Sequence, residues 1–209
     1  MDIFVNGSKV NYRPFFPLTW GKLLRDLQKG VIEENHGIVK ILLDKENYLA
    51  EIKEKSQQMV PQNIKRIDVF TKDTLSITKE GFIKIFALID SIRCEIPITI
   101  NFYRRDRITE ASVIIKKILA SIKPMIDFVN LTGINFSLNF DEILTERGTT
   151  LREEIELFIK SFSNLIEIKK KRDNIKTAEY LEQQFMKDMS GWSRAVKQLL
   201  REVSKIHNL

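Results

Sequence analysis

Nucleophilic catalysis needs a thiol or hydroxyl beside an imidazole base, with a third group to orient that base. This chain holds one cysteine, Cys94, and two histidines, His36 and His207. Cys94 falls between Arg93 and Glu95 in an apolar helical stretch. It reads as an inert packing residue, since free cysteine is commonly buried. His36 reads as a charge at a helix C-terminus and His207 as a residue of the terminal tail. Asp141, Glu142 and Glu146 cluster without the ladder spacing of a calcium loop and read as a solvated acidic turn. The eight glycines are dispersed, and neither G-x-G-x-x-G nor G-x-x-x-x-G-K occurs. No enzyme, metal or cofactor is expected.

Two basic runs carry a different chemistry. Arg104, Arg105 and Arg107 form one, and Lys169, Lys170, Lys171 and Arg172 the other. Brought together, seven cations could neutralise phosphates of nucleic acid or anionic lipid. Solvated turns are the plainer reading, and basic residues late in a helix already complement its dipole. Phe158, Phe162, Phe185, Met186, Met189 and Trp192 could line a ligand groove, but near-heptad spacing marks them first as core.

Composition sets the frame for these groups. The 209 residues are 43% hydrophobic and 30% charged, with net charge +6. Residues 1–72 hold twelve Lys/Arg against nine Asp/Glu and the remainder twenty-two against nineteen. The positive excess is therefore evenly shared, unlike a dedicated nucleic-acid arm. A single cysteine excludes an internal disulfide and fits a reducing compartment. The opening Met-Asp-Ile-Phe-Val lacks the pattern of a signal peptide, and no apolar run reaches the ~18 residues of a membrane span. A cytoplasmic, non-transmembrane protein is the expectation.

Residues 1–72 read as a small mixed unit. Ile3-Phe4-Val5 and Lys9–Tyr12 flank Asn6-Gly7, the pair favoured where a type I′ hairpin turn needs positive φ twice. Pro14 and Pro17 stop the second strand. Thr19 is placed to cap a helix whose Trp20, Leu23, Leu24, Leu27 and Val31 share a face. His36-Gly37 should close it, with Gly37 in the left-handed position. Ile38–Leu43 reads as a central strand, Tyr48-Leu49 as a short edge strand, residues 51–63 as a loop, and Ile64–Phe70 as the last strand. Hairpin, helix, strand, short strand and final strand follow the order of the β-grasp fold. The opening residues, the Thr19-led helix and the Ile64–Phe70 strand resemble ubiquitin-like domains. No terminal Gly-Gly follows Phe70. The resemblance implies a docking module or an appendage, not a conjugated tag.

Beyond residue 72 the spacing turns helical. The first helix should run from about Thr78 to Tyr103, with Phe82, Phe86, Ile89, Ile96, Ile100 and Tyr103 inward and a kink at Pro97. The second should run from Ile108 to Leu131, with Ala111, Ile115, Ile118, Ile122, Met125 and Val129 inward, Pro124 kinking it and Thr132-Gly133 ending it. Phe136–Phe140 reads as an extended connection. Thr150 with Glu153 matches a capping box ahead of the seam Leu151, Ile155, Phe158, Phe162 and Leu165. That seam runs into Lys169, Arg172 and Lys176, so the chain turns near 169–174 or slips phase within one helix. The last helix, about Ile175 to Ile206, carries Ala178, Leu181, Phe185, Met189, Trp192, Val196, Leu199, Val203 and Ile206 at steps of three or four.

The expected architecture is α+β: an N-terminal ubiquitin-like β-grasp domain (1–72) and an antiparallel four-helix bundle (76–209) with a long C-terminal helix. The expected function is a non-enzymatic interaction protein, an adaptor or chaperone-like scaffold. It would engage another protein or itself by helix packing, with Phe185, Met189, Trp192, Val196 and Leu199 as the candidate seam. The alternative is nucleic acid or anionic lipid held at a basic pole. An up-down-up-down bundle puts its first and third turns at one end, which would gather the two cationic runs there.

Overall fold

The computed structural model describes residues 1–12, 18–44, 46–47, 57–61 and 63–206. The expected proline stop at Pro14 and Pro17, the edge strand at Tyr48-Leu49, much of the 51–63 loop and His207 lie outside the described residues. The chain forms two compact units, Met1–Thr78 and Lys79–Leu209.

The first unit is a five-stranded sheet with one helix. Strands β1 (Asp2–Val5), β2 (Ser8–Val10), β3 (His36–Leu43), β4 (Glu46–Asn47) and β5 (Arg66–Asp73) lie in the order β2-β1-β5-β3-β4. β1 runs parallel to β5, with Ile3 opposite Ile67, and the remaining pairs are antiparallel. This is the β-grasp order, with the first and last strands side by side inside the sheet. Asn6 (φ 49°) and Gly7 (φ 83°) make the hairpin turn as their types demand. Helix α1 (Trp20–Gly30) starts at Thr19, whose hydroxyl accepts the Lys22 amide. Its Trp20, Leu23 and Leu27 bury against Ile3, Ile41, Ile67 and Val69.

Two expectations fail here. α1 ends at Gly30, with the Val31 amide on the Leu27 carbonyl. His36 and Gly37 instead open β3, opposite Asp73 and Lys72. Gly37 leaves room there for Ile77, whose Cδ1 would stand 3.0 Å from an added Cβ and would have to shift by a few tenths of an ångström. The irregular alternation of the last strand also has a cause. Asp68 is buried between Ile67 and Val69, its carboxylate held by Arg66 at 2.6 and 2.7 Å. The Arg66 guanidinium in turn lies 4.0 Å from the Phe4 ring centroid.

The helical unit is built from α2 (Thr74–Arg104, of which residues 74–78 belong to the first unit), α3 (Ile108–Asn135), α4 (Leu151–Lys170) and a last helix in three parts. These parts are α5 (Asn174–Tyr180), a π-helical turn (Leu181–Phe185) and α6 (Met186–Ile206). α2 begins four residues earlier than its spacing predicts, because Asp73 caps it by accepting the Ser76 amide at 2.8 Å. It continues through Pro97, burying Phe82, Ile85, Ile89, Ile92, Ile96, Ile100 and Tyr103, with Phe86 half-buried.

Every predicted inward residue of α3 is buried. Thr132-Gly133 does not end this helix; it runs on to Asn135. Gly133 lies under the ring of Phe140, where a Cβ would come within 2.4 Å. The connection turns at Phe136-Ser137 and again at Phe140 where an extended run was expected, while Phe140 tucks in as its apolar character requires.

The capping box forms as expected: Glu153 N–H bonds the Thr150 hydroxyl at 3.2 Å, and Thr150 N–H the Glu153 carboxylate at 2.7 Å. A true turn follows α4 at Lys171 and Arg172 (φ 57°), and Asp173 caps α5 by accepting the Lys176 amide at 2.9 Å. The competing continuous helix does not form. Ile206, expected on the last seam, is exposed. α4 packs on the last helix through Glu154, whose carboxylate lies over Gly191 of α6, and through Ser161, which bonds the Tyr180 hydroxyl of α5 at 3.0 Å.

Candidate functional site

Three places hold the residues singled out by sequence. At the last-helix seam, Phe185, Met189, Trp192, Val196 and Leu199 are each at most 1% exposed. Phe158 stacks on Trp192 and also contacts Phe185, so the protein's own α4 fills this seam. No surface is left there for a partner.

At the basic pole, the first and third turns do meet. Lys169 reaches across from α4 to donate to the Tyr103 hydroxyl at 2.8 Å and the Ser112 hydroxyl at 3.3 Å. Several of the other cations already carry carboxylates. Arg104 pairs with Glu182 at 2.5 Å, Arg107 with Glu110 at 2.7 Å, and Lys170 with Glu167 at 2.8 Å. Hydrogen bonds from Arg107 and Lys170 hold Glu110 and Glu167 below the usual carboxylate range, so both remain anionic. Arg107 also covers the Phe102 ring at 4.4 Å. Arg105, Lys171 and Arg172 are exposed, with no ion pair among the described residues. Three intervening carboxylates leave a mixed field, and exposed pairs of this kind are weakened further by salt.

The acidic turn is likewise divided. Asp141 binds Arg152 at 2.7 Å, Glu142 accepts from Asn139 at 2.7 Å, and Glu146 binds Arg201 at 2.9 Å. Among the described residues no three His, Cys, Asp or Glu side chains gather as they would around a metal ion. Cys94, expected inside, is exposed. The inward positions beside it are taken by Ile92 and Ile96. His36 Nδ1 lies 3.1 Å from Glu33 Oε2, at ion-pair distance but without the alignment of a hydrogen bond.

The place that sequence reasoning missed is a groove of about 930 Å³ between α3 and α4. Leu119, Pro124, Ile126, Ile159, Phe162 and Ile166 line it, with Lys123, Asp127 and Ser163 as its charged and hydroxyl groups. It exists because α4 commits its buried face, centred on Ile155, Phe158 and Leu165, to the last helix. Phe162 sits at the edge of that face, and Ile159 and Ile166 lie just beyond it around the helix. They point toward α3 without being covered by it, and Phe162 stays half-exposed although its spacing put it on the seam. A signal was present: Ile159 and Ile166 are apolar positions that the α4 heptad leaves unused.

A polar knot was also missed. Glu154 is buried, accepts from the Thr149 hydroxyl at 3.0 Å, and occupies the space left by Gly191. Nearby, the buried Trp192 Nε1 and Arg194 Nη2 have no hydrogen-bond acceptor among the described residues.

No family model matches the sequence, and no curated protein or solved structure matches it either. Among the described residues no helix is long and apolar enough to cross a membrane.

Proposed function

We propose that the protein is a non-enzymatic interaction protein of the cytoplasm, an adaptor or chaperone-like scaffold. In this reading the helical unit binds through the α3–α4 groove and the β-grasp unit serves as a docking module. The groove carries the proposal: it is large, open and lined mainly by aliphatic and aromatic side chains. Burial of such surface drives association, and the few polar groups set orientation. Two histidines and a single exposed thiol give little for acid–base or nucleophilic work. The alternative, an anionic surface held at the basic pole, has less support because Glu110, Glu167 and Glu182 occupy cations of that end.

The test compares capture from source-cell extract by wild type and by Phe162→Glu, which puts a charge into the groove while leaving the core seam intact. Proteins retained by wild type and lost by the variant support the groove. Identical captures would overturn it. Salt-sensitive retention of nucleic acid or anionic vesicles, abolished by replacing Arg105 and Lys171 with Ser, would favour the pole instead.

A further inference from the structure

Helix α3 carries two heptad seams on opposite sides. The inner one is core. The outer one runs Val113, Lys117, Ala120, Pro124, Asp127, Leu131, Ile134, again at alternating steps of four and three. Its large apolar members are uncovered, with Val113 66%, Leu131 56% and Ile134 73% exposed. Seams of this kind are the contact surfaces of paired helices. Ala120, Pro124 and Asp127 of the same stripe also form one wall of the groove.

The charges on the stripe specify its occupant. In an antiparallel pair, each layer joins residues at complementary heptad positions of the two helices. Setting Lys117 against Asp127 of a second copy brings Asp127 against that copy's Lys117. The same register places Val113 against Leu131 at both ends and Ala120 against Pro124 in the middle, where two compact side chains allow close approach. Moving one layer either way sets Lys117 against Ala120 or Asp127 against Pro124, and both charges lose their partners. A parallel pair would oppose like charges, Lys117 to Lys117 and Asp127 to Asp127. Their present bonds are compatible with pairing: Asp127 also binds Lys123 at 2.6 Å, and Lys117 also binds Glu95 of α2.

We propose that the outer face of α3 binds the same face of a second copy of this chain, antiparallel, with reciprocal Lys117–Asp127 pairs across the two-fold axis. The proposal rests on reading the α3–α4 surface as an interaction site and names its partner.

Sedimentation and light scattering of the full chain over a concentration series should show a monomer–dimer equilibrium. Lys117→Asp and Asp127→Lys, each of which opposes like charges twice, should each weaken it by at least about tenfold. The double exchange should restore it. Circular dichroism of each variant checks that the fold is kept.

Orientation is read by cross-linking with a short bismaleimide in a Cys94→Ser background. In this register, residues 120 of the two copies are offset along the axis by about 6 Å and residues 113 by about 27 Å, at 1.5 Å per residue. A120C should therefore link and V113C should not. Linking of both, or a dimer indifferent to the charge exchange, overturns the proposed pairing. A chain monomeric at every concentration also overturns it. If Phe162→Glu still abolishes capture in that case, the groove reading stands while self-pairing falls.

Discussion

The indole of Trp192 lies 4.6 Å from the ring of Phe158, with the two planes 20° apart. Both residues are at most 1% exposed, so this stack joins α4 to α6 at the middle of the helical core. Truncation by Trp192→Ala should cost ~3–5 kcal/mol, through lost transfer energy and the cavity left behind. Equilibrium denaturation in urea measures it. A loss under ~1 kcal/mol would mean that α4 collapses readily onto the gap.

Gly133 in α3 tests close packing with the opposite sign. Alanine would add up to ~1 kcal/mol of helix propensity. The new methyl, however, would press into the ring of Phe140, within 2.4 and 2.7 Å of its carbons. Overpacking of that kind costs ~1–3 kcal/mol, so Gly133→Ala should destabilise on balance. Thermal melts decide it, and a raised Tm would mean that the 136–140 turn moves aside freely.

Acid should loosen the β-grasp unit through Asp68. Its hydrogen bonds from Arg66 hold its carboxyl below the usual range, so the folded state takes up this proton less readily than the unfolded chain. The contribution is present above the unfolded value of ~4 and is lost as pH falls through the lowered folded value. Asp68→Asn should flatten the fall in stability between neutral pH and that acid range. Some slope should remain, because hydrogen bonds from Lys9 and Ser76 also lower Asp2 and Asp73. Melts of wild type and variant across this range give the comparison.

Cys94 sits on the outer surface of α2, so a thiol reagent should label native protein completely. Its rate should approach that of the unfolded chain. Protection by an order of magnitude or more would show the site covered in solution.

Much of the fold was legible because its signals are local. Asn6-Gly7 needs only its own two φ angles, and the Thr150–Glu153 box closes within one turn. The inner seam of α3 was complete from spacing alone, since aliphatic residues at heptad steps have one way to be buried together. Glycine misled twice for one reason: it marks either a backbone turn or a tight fit, and sequence does not distinguish them. Gly37 and Gly133 both answer to a side chain that is distant in sequence, Ile77 and Phe140 respectively. Cys94 was placed inside by residue type, while helical phase gave the interior to Ile92 and Ile96. Ile159 and Ile166 hint at the groove as apolar positions outside the α4 heptad, but its opening depends on how far α4 turns toward the last helix, which spacing does not give. The meeting of the two basic runs followed from helix parity, but the carboxylates that share them did not. Arg104 finds Glu182 across 78 residues of sequence.

The π turn at Leu181–Phe185 gives the last helix one place where its length is negotiable. A π turn holds one residue more than the α-helical turn it replaces. Its middle positions Glu182, Gln183 and Gln184 are exposed. Deleting any one of them would let the segment close into ordinary helix while Ala178, upstream, and Met189, Trp192 and Val196, downstream, keep their mutual phase. Loss of a single residue further on, at exposed Lys197 for instance, would swing everything after it by ~100° and bring charged side chains toward the core. A scan of one-codon deletions along this helix should therefore find tolerance concentrated at the three exposed positions 182–184 and intolerance on their C-terminal side.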